Sequence, residues 1–274
     1  MTSAAGTVRV PTRQMRTVRA TRYVTAFREG GSLPGLVEAD DDGLYVVKFR
    51  GAGQGPRVLV AEWLAGEIAR AIGLLVPELV AIDLAAGIAD SEPDPEIHDL
   101  LEASVGRNIG LDFLPGSLTF NPAIDRVADP DWAASVVWLD ALVTNPDRSP
   151  KNPNMLVWHG RTWLIDHGAS LFIHHTWRDP NAHARRSFSE RIEDHVLLPF
   201  ASSIAAADAR LAPLVTRELI DDLVAAIPAD WLAPDRVIGG ADAQRQAYVR
   251  YLTTRLAAPR PFVEAAELAR SKAA

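Results

Sequence analysis

The sequence predicts an α+β protein with two lobes, a small strand-rich lobe followed by a larger, mostly helical one. Three observations predict this fold class. Residues 20–115 contain short apolar segments separated by glycine-rich or polar turns, residues 116–274 contain longer segments with helical patterns, and the breaker Pro115-Gly116 lies where the pattern changes. We therefore predict an N-lobe over 20–115 and a C-lobe over 116–274, preceded by a basic tail over 1–19.

The predicted N-lobe consists of short strands and one central helix. The strands are expected at residues 23–27, 36–37, 44–49, 79–84 and 109–114. A helix is predicted from Arg57 to Gly73, with one buried apolar face. The residues on that face are Ala61, Leu64, Ile68 and Ile72. The glycines at 51, 53 and 55 precede the helix as a linker, and residues 90–102 form a loop or a short helix.

The predicted C-lobe begins with an apolar helix over 131–143 and a polar loop over 144–154. A β-hairpin follows, with strands over 155–158 and 162–165, and the chain is mostly helical after about residue 187. We expect the tryptophans of the helix and the hairpin to pack in the core, and these are Trp138, Trp158 and Trp163.

The composition restricts the class of protein. The 274 residues are 48% hydrophobic, which excludes disorder over most of the chain, and the absence of cysteine excludes disulfide scaffolds, cysteine-ligated metals and cysteine nucleophiles. No apolar run approaches the roughly 20 residues that span a bilayer, and no apolar core follows the N-terminal arginines. We expect a cytoplasmic protein that does not associate with membranes.

The net charge is −7, which argues against direct nucleic-acid binding. Residues 1–28 are the local exception, because they contain no acid and several arginines. These are Arg9, Arg13, Arg16, Arg19, Arg22 and Arg28. This segment is either a solvated tail that leads into the first strand or a contact surface for an acidic partner.

Lysine is rare in this sequence, which draws attention to its positions. Of the 28 lysines and arginines, only Lys48, Lys151 and Lys272 are lysines. Lys48 lies in the middle of an apolar strand, where its charge needs a partner such as a phosphate or a carboxylate. The following helix offers Glu62 and Glu67, and the spacing does not choose between them.

The polar loop and the end of the hairpin contain the most informative motif. Asp147 is followed by four residues and then Asn152, and after the hairpin comes Asp166 in the sequence Asp-His-Gly. Phosphoryl transfer from Mg-ATP uses this order, with one Asp to orient or deprotonate the acceptor hydroxyl and an Asn and a second Asp as oxygen ligands of Mg²⁺. Asp147, Asn152 and Asp166 fit these roles.

Each of these residues also has a structural interpretation. Asp147 and Asn152 could form turns, Asp166 could cap a helix, and Lys48 could lie at a sheet edge with its charge in solvent. Their joint order is harder to obtain by chance and favours the phosphoryl-transfer hypothesis. The glycine turn Gly30-Gly31-Ser32 is either a phosphate cover or an ordinary hairpin turn.

The histidines after the hairpin, His167, His174 and His175, are interpreted as structural residues rather than metal ligands. Strand geometry would point His174 and His175 to opposite faces, and no carboxylate cluster accompanies them.

At these motifs the sequence resembles the HipA-like kinases, bacterial relatives of protein kinases and of phosphatidylinositol 3-/4-kinases. The likeness covers roughly residues 20–175. The segments that carry it are Tyr45-Val46-Val47-Lys48-Phe49, Thr144-Asn145-Pro146-Asp147-Arg148-Ser149-Pro150-Lys151-Asn152-Pro153-Asn154-Met155-Leu156 and Leu164-Ile165-Asp166-His167-Gly168-Ala169-Ser170-Leu171. Asp-His-Gly stands where protein kinases have Asp-Phe-Gly.

The resemblance implies an ATP-dependent kinase with a protein-kinase-like fold, and it assigns residue roles. Lys48 would hold the α- and β-phosphates and pair with Glu62, Asp147 would be the catalytic base, and Asn152 and Asp166 would bind Mg²⁺. The backbone of Asp112, Phe113 and Leu114 would meet adenine as the hinge. Gly30, Gly31, Ser32 and Lys151 complete the expected nucleotide site, and Ser32 is the candidate for autophosphorylation.

We therefore predict an ATP- and Mg²⁺-dependent kinase that transfers the γ-phosphoryl group to a hydroxyl, with Ser or Thr of a protein as the acceptor. The alternatives are a small-molecule or lipid kinase with the same nucleotide site, and a nucleotide-binding pseudokinase that acts as a scaffold. The expected partners are a protein or small-molecule acceptor and a small regulatory protein.

Overall fold

The structure, a computed structural model, describes residues 14–27, 33–53, 55–125, 127, 129–176 and 179–273. Its strands lie mainly before residue 113, and its helices lie mainly after residue 130. The chain is therefore a mixed α and β protein in which strands and helices are largely separated along the sequence, as the periodicity predicts.

Five strands close into a barrel. They are β1 (Arg16–Ala26), β2 (Gly35–Ala39), β3 (Leu44–Lys48), β4 (Leu79–Leu84) and β5 (Gly106–Asp112). Their order around the barrel is β1-β2-β3-β5-β4. Burial alternates along β2, so that Val37 points inward together with Val47 and Val80. A parallel pairing of Arg16 with Val80 brings β1 against β4 and closes the barrel.

The first strand begins earlier than predicted, because Val18 is buried inside the barrel. The prediction that the strand starts at residue 23 is therefore wrong. Arginines of this strand reach acids of the neighbouring strands and turns. Arg16 pairs with Asp41 and Glu78, and Arg22 pairs with Glu38. The arginines at 9, 13 and 28 lie outside the described residues.

Helix α1 (Arg57–Ala71) runs between the barrel and the helices of the second part of the chain. The sequence places its two ends well, but the prediction of a single buried face is wrong, because every residue from Leu59 to Ala69 is buried. Gly66 allows close contact with the barrel, since a methyl group there would lie 2.6 Å from Cδ1 of Leu79. Nε1 of Trp63 donates to the carbonyl of Leu223 at 2.9 Å. Helix α1 therefore contacts both the barrel and the helical part of the chain.

One further helix lies between the barrel strands β4 and β5, and another follows the barrel along the chain. Helix α2 (Pro95–Glu102) flanks the barrel and packs its buried residues against the barrel core. Helix α3 (Pro130–Val143) begins the second part, and Asp129 caps it by accepting from the amide of Asp131.

A second, smaller sheet follows the barrel along the chain. Its strands are β6 (Leu118–Thr119), β7 (Met155–Trp158) and β8 (Arg161–Leu164), in the order β6-β7-β8. Strands β7 and β8 form the predicted hairpin, with Met155 opposite Leu164.

The remaining helices pack around α3 into one apolar core that also includes α1. They are α4 (Pro180–Ala184), α5 (Ser189–Ile192), α6 (Ile204–Leu211), α7 (Arg217–Ala225), α8 (Ala241–Leu256) and α9 (Pro261–Ala273). None of the described helices combines the length and the apolar composition that a membrane crossing requires.

Of the tryptophans expected in the core, only Trp138 is fully buried. Trp158 and Trp163 are partly exposed and pack edge to face, with ring centroids 5.5 Å apart. The expectation for these two residues is corrected because one face of the short hairpin remains accessible.

Candidate active site

Lys48, at the end of β3, forms a buried ion pair with Glu62 of α1. Its Nζ lies 2.5 Å from Oε2 of Glu62 and also contacts Oδ1 of Asp166. The side chains of Lys48 and Glu62 are 8% and 0% exposed, whereas that of Asp166 is 41% exposed. The other candidate on the helix, Glu67, pairs with Arg70 at 3.2 Å. The tertiary structure thus selects Glu62 as the partner of Lys48.

The ion pair keeps both groups charged despite their burial. Burial disfavours the ammonium of Lys48, but the carboxylates of Glu62 and Asp166 outweigh it and raise the pKa of Lys48 above its ordinary value. Burial likewise opposes the charged form of Glu62, while Lys48 and His167 outweigh it and hold the pKa of Glu62 below its usual range. The cluster therefore presents a fixed positive charge beside a half-exposed carboxylate.

The polar loop after α3 forms a second cluster around Asp147. Oδ2 of Asp147 accepts from Nδ2 of Asn152 at 2.9 Å and from Nδ2 of Asn154 at 3.1 Å. The amide of Asp147 donates to Oδ1 of Asn145 at 3.1 Å, and a tight backbone turn pairs Ser149 with Asn152. The predicted residues Asp147 and Asn152 are therefore in direct contact.

A fully buried ion pair lies beneath this loop. Nε of Arg148 is 2.5 Å from Oδ2 of Asp140, and Nε2 of His195 lies 2.9 Å from the same oxygen. Burial disfavours the charged form of Asp140, but Arg148 and His195 outweigh it and hold the pKa of Asp140 below its usual value. Burial also lowers the pKa of His195, against the pull of Asp140. Buried charged groups thus attach the loop to α3.

The Asp-His-Gly segment joins the two clusters. The amide of Ile165 donates to the carbonyl of Asn154 at 3.0 Å, so the residue before Asp166 is attached to the end of the polar loop. Nδ1 of His167, which is buried, lies 3.4 Å from Oε1 of Glu62. The next residue, Gly168, lies so close to the lysine of the first cluster that a methyl group there would be 3.2 Å from its Nζ.

The 3₁₀ helix Phe172–Thr176 follows, so the prediction that strand geometry separates His174 and His175 is wrong. Nε2 of His174 lies 2.9 Å from the hydroxyl of Tyr248, whereas His175 is exposed and lies against Phe172. The pattern of the sequence could not reveal this turn, because it depends on packing against α8.

The predicted hinge begins at the last residue of β5, and two of its backbone amides already have partners. The amides of Asp112 and Phe113 donate to the carbonyls of Glu78 and Leu44, both at 2.9 Å. Leu114 is buried immediately after them. A role for the hinge in binding adenine therefore stays a prediction. It would depend on Leu114 and on backbone carbonyl groups of this segment, because the amides of Asp112 and Phe113 already have partners.

Other predicted residues lie outside these clusters or outside the described residues. Lys151 is exposed in the turn between Ser149 and Asn152. The predicted phosphate cover, Gly30-Gly31-Ser32, lies outside the described residues.

Sequence reasoning missed four polar residues that support Asp147, and they are Asp140, Arg148, Asn154 and His195. A signal existed for Arg148 and Asn154, because the loop contains more charged and amide residues than a turn needs. No comparable signal marked Asp140, which lies in an apolar helix, or His195, which is distant in the chain.

The donor set fits a magnesium ion shared with phosphates. Among the described residues, no group of three or more His, Asp or Glu side chains could hold a metal by itself. Asn152 uses its Nδ2 on Asp147, which leaves its Oδ1 for a cation, and Asp166 offers a half-exposed carboxylate. Mg²⁺ takes hard oxygen ligands and is commonly bound through one or two carboxylates plus substrate phosphates.

Comparisons with known proteins show the family of this chain and a structure with a similar fold. A family model of HipA-like kinases matches residues 21–257. The crystal structure of the Helicobacter pylori proinflammatory kinase CtkA is similar in fold, with a TM-score of 0.55 and 12% sequence identity over 94% of this chain and 99% of that chain. No curated protein matches this sequence.

Proposed function

The chain belongs to the HipA-like kinase family and is a phosphotransferase, and from this premise we propose that it transfers the γ-phosphoryl group of ATP to a protein Ser or Thr hydroxyl with the help of Mg²⁺. The observation that carries the proposal is the buried Lys48–Glu62 ion pair in contact with Asp166. Glu62 holds the ammonium of Lys48, which would bind phosphate oxygens. The half-exposed carboxylate of Asp166 would bind the metal that accompanies a triphosphate.

The residue roles follow from the chemistry of each group. Glu62 holds Lys48, whose ammonium binds the α- and β-phosphates. Asn152 and Asp166 would hold Mg²⁺, which supplies positive charge to the phosphate oxygens. Asp147 orients the acceptor hydroxyl and takes its proton as the hydroxyl oxygen forms a bond to the γ-phosphorus. The bond from that phosphorus to the β-γ bridging oxygen breaks, and ADP leaves.

We also propose that the barrel part and the helical part are the two lobes around the nucleotide. In this arrangement Leu114 and neighbouring carbonyls meet adenine, and Lys151 lies near the phosphates. The turn Gly30-Gly31-Ser32 would cover the phosphates, because glycine allows backbone amides to approach them.

Two measurements test the proposal on the full chain. Mg-ATP should raise the thermal unfolding midpoint, because a ligand that binds only the folded state stabilises it. Incubation of a lysate with γ-labelled ATP should label protein Ser or Thr, as identified by mass spectrometry. Asp147→Asn should lower transfer about 10²- to 10⁴-fold while it leaves the Mg-ATP shift in place.

The outcomes separate the alternatives. If small molecules or lipids carry the label instead of protein, the acceptor is a hydroxyl of another class of molecule. A thermal shift without turnover in the wild type would indicate a scaffold, and retained turnover in Asp147→Asn would refute the assignment of the base.

A further inference from the structure

We propose that Asn154 is a positioning residue that orients the carboxylate of Asp147, and that Arg148 and Asp140 hold Asn154 in place. The inference rests on the proposed function, because it assigns Asp147 the proton-accepting role.

The two carboxylate oxygens of Asp147 differ in their hydrogen-bond donors. Nδ2 of Asn154 donates to Oδ2 of Asp147 at 3.1 Å and to its carbonyl at 3.2 Å, and Nδ2 of Asn152 reaches the same Oδ2 at 2.9 Å. Within the described part of the chain, Oδ1 receives no such donor. Two amides therefore orient one carboxylate oxygen and leave the other to accept a proton from a substrate hydroxyl.

The backbone of Asn154 has a left-handed conformation and a carbonyl with two donors. Its φ of +48° lies in the left-handed region, which Asn tolerates better than most residues. Its carbonyl accepts from Nη1 of Arg148 at 2.5 Å and from the amide of Ile165 at 3.0 Å. Asn154 therefore connects Asp147 to the residue that precedes Asp166, so that one residue sets the relation between the proposed base and the proposed metal ligand.

Arg148 is itself held by a buried carboxylate. This residue is 1% exposed, and it reaches Asp140 through Nε while its Nη1 binds Asn154. A planar guanidinium can reach two separate acceptors in fixed directions, which a lysine ammonium on a flexible stem does not. His195 binds Asp140 from another side. The buried network thus fixes the position of the carbonyl of Asn154.

The test measures ADP release from Mg-ATP by the full chain, with a protein that contains Ser and Thr as the acceptor of the γ-phosphoryl group. Asn154→Asp keeps the size and the left-handed preference of residue 154 but replaces the donor by an acceptor that faces Asp147. We expect kcat to fall about 100-fold with the KM for ATP unchanged. Asn154→Gly removes the side chain without backbone strain and should lower kcat about tenfold. Arg148→Lys should show the same pattern at smaller amplitude.

The matched control is Asp42→Asn, an exchange of the same two residue types at an exposed left-handed turn with φ of +61°. It should leave kcat and KM unchanged. Wild-type kcat in both Asn154 variants would overturn the inference, and so would a parallel loss of kcat, ATP affinity and thermal stability, which indicates a structural role only. A wild type without turnover would instead overturn the proposed function.

Discussion

The guanidinium of Arg57 donates to the carbonyl oxygen of His174 at 3.3 Å. Arg57 is the first residue of α1, the helix that carries Glu62, and His174 lies in the 3₁₀ helix that follows Asp166. Arg57 also pairs with Asp235. One side chain thus links the start of α1 to the segment after the Asp-His-Gly motif and to the helical part of the chain.

Arg57→Gln should loosen both ends of this link. We expect faster amide hydrogen exchange in peptides that cover residues 57–71 and 172–175, because the start of α1 loses its connection to the 3₁₀ helix. Mass spectrometry of the exchanged chain measures the effect. Arg217→Gln is the control, since it removes an exposed pair with Asp221 and should change exchange only near residue 217. Unchanged exchange in Arg57→Gln would contradict the link.

Stability should fall on acidification because of His174. Burial and then the charges of Arg57 and His175 lower the pKa of His174 to about 3. In the unfolded chain a histidine has a pKa of about 6.5 and binds a proton below that pH, whereas folded His174 does not bind one until the pH approaches 3. Acid therefore favours the unfolded state between these two pH values.

His174→Gln removes this titration. Between about pH 7.5 and about pH 5, the wild type should lose roughly 2 kcal/mol more unfolding free energy than the variant. Urea unfolding at both pH values measures the difference. An equal loss in the two proteins would show that His174 is protonated to the same extent in both states.

Gly168→Ala should impair nucleotide binding. A methyl group there would lie 2.6 Å from Cγ1 of Val58 and 3.2 Å from Nζ of Lys48, so α1 or Lys48 must move. We expect about tenfold weaker Mg-ATP binding by calorimetry, which corresponds to about 1.4 kcal/mol. Gly240→Ala is the control, because a methyl group there meets nothing within 4 Å. Equal affinities in the two variants would disprove the close approach.

Lys48→Met should destabilise the fold, because it leaves Glu62 charged and buried. The expected loss in unfolding free energy is about 3–5 kcal/mol. The double variant Lys48→Met/Glu62→Gln should regain much of this stability, since the uncompensated charge is gone, but neither variant should turn over ATP. Denaturant unfolding and ADP release measure the two effects. A double variant as unstable as the single one would argue against the ion pair as the cause.

The elements that depend on local pattern could be predicted from the sequence. The strand that ends at Lys48, the helix from Arg57 and the hairpin after the polar loop were all found, because each depends on apolar period and turn residues over a short stretch. The sequence does not indicate the early start of β1, because a segment rich in arginine does not look like a buried strand. The acidic partners that these arginines contact are known only from the structure.

The order of Lys48, Asp147, Asn152 and Asp166 along the chain was enough to indicate the class of chemistry. The choice of Glu62 over Glu67 as the partner of Lys48 required the folded molecule. Both glutamates are buried on a helix that is covered on all sides, so periodicity cannot tell them apart.

The contacts of the network beneath the polar loop could not be predicted from the sequence, although the polar composition of the loop marks Arg148 and Asn154. Arg148 joins Asp140 to Asn154, and His195 reaches the same carboxylate from a distant part of the chain. The residues that neighbour each partner in the sequence do not indicate such a contact, because it forms only when tertiary packing orients both partners. The order of residues in the sequence therefore indicates the reactive groups, whereas burial and orientation in the folded chain determine which of these groups act together.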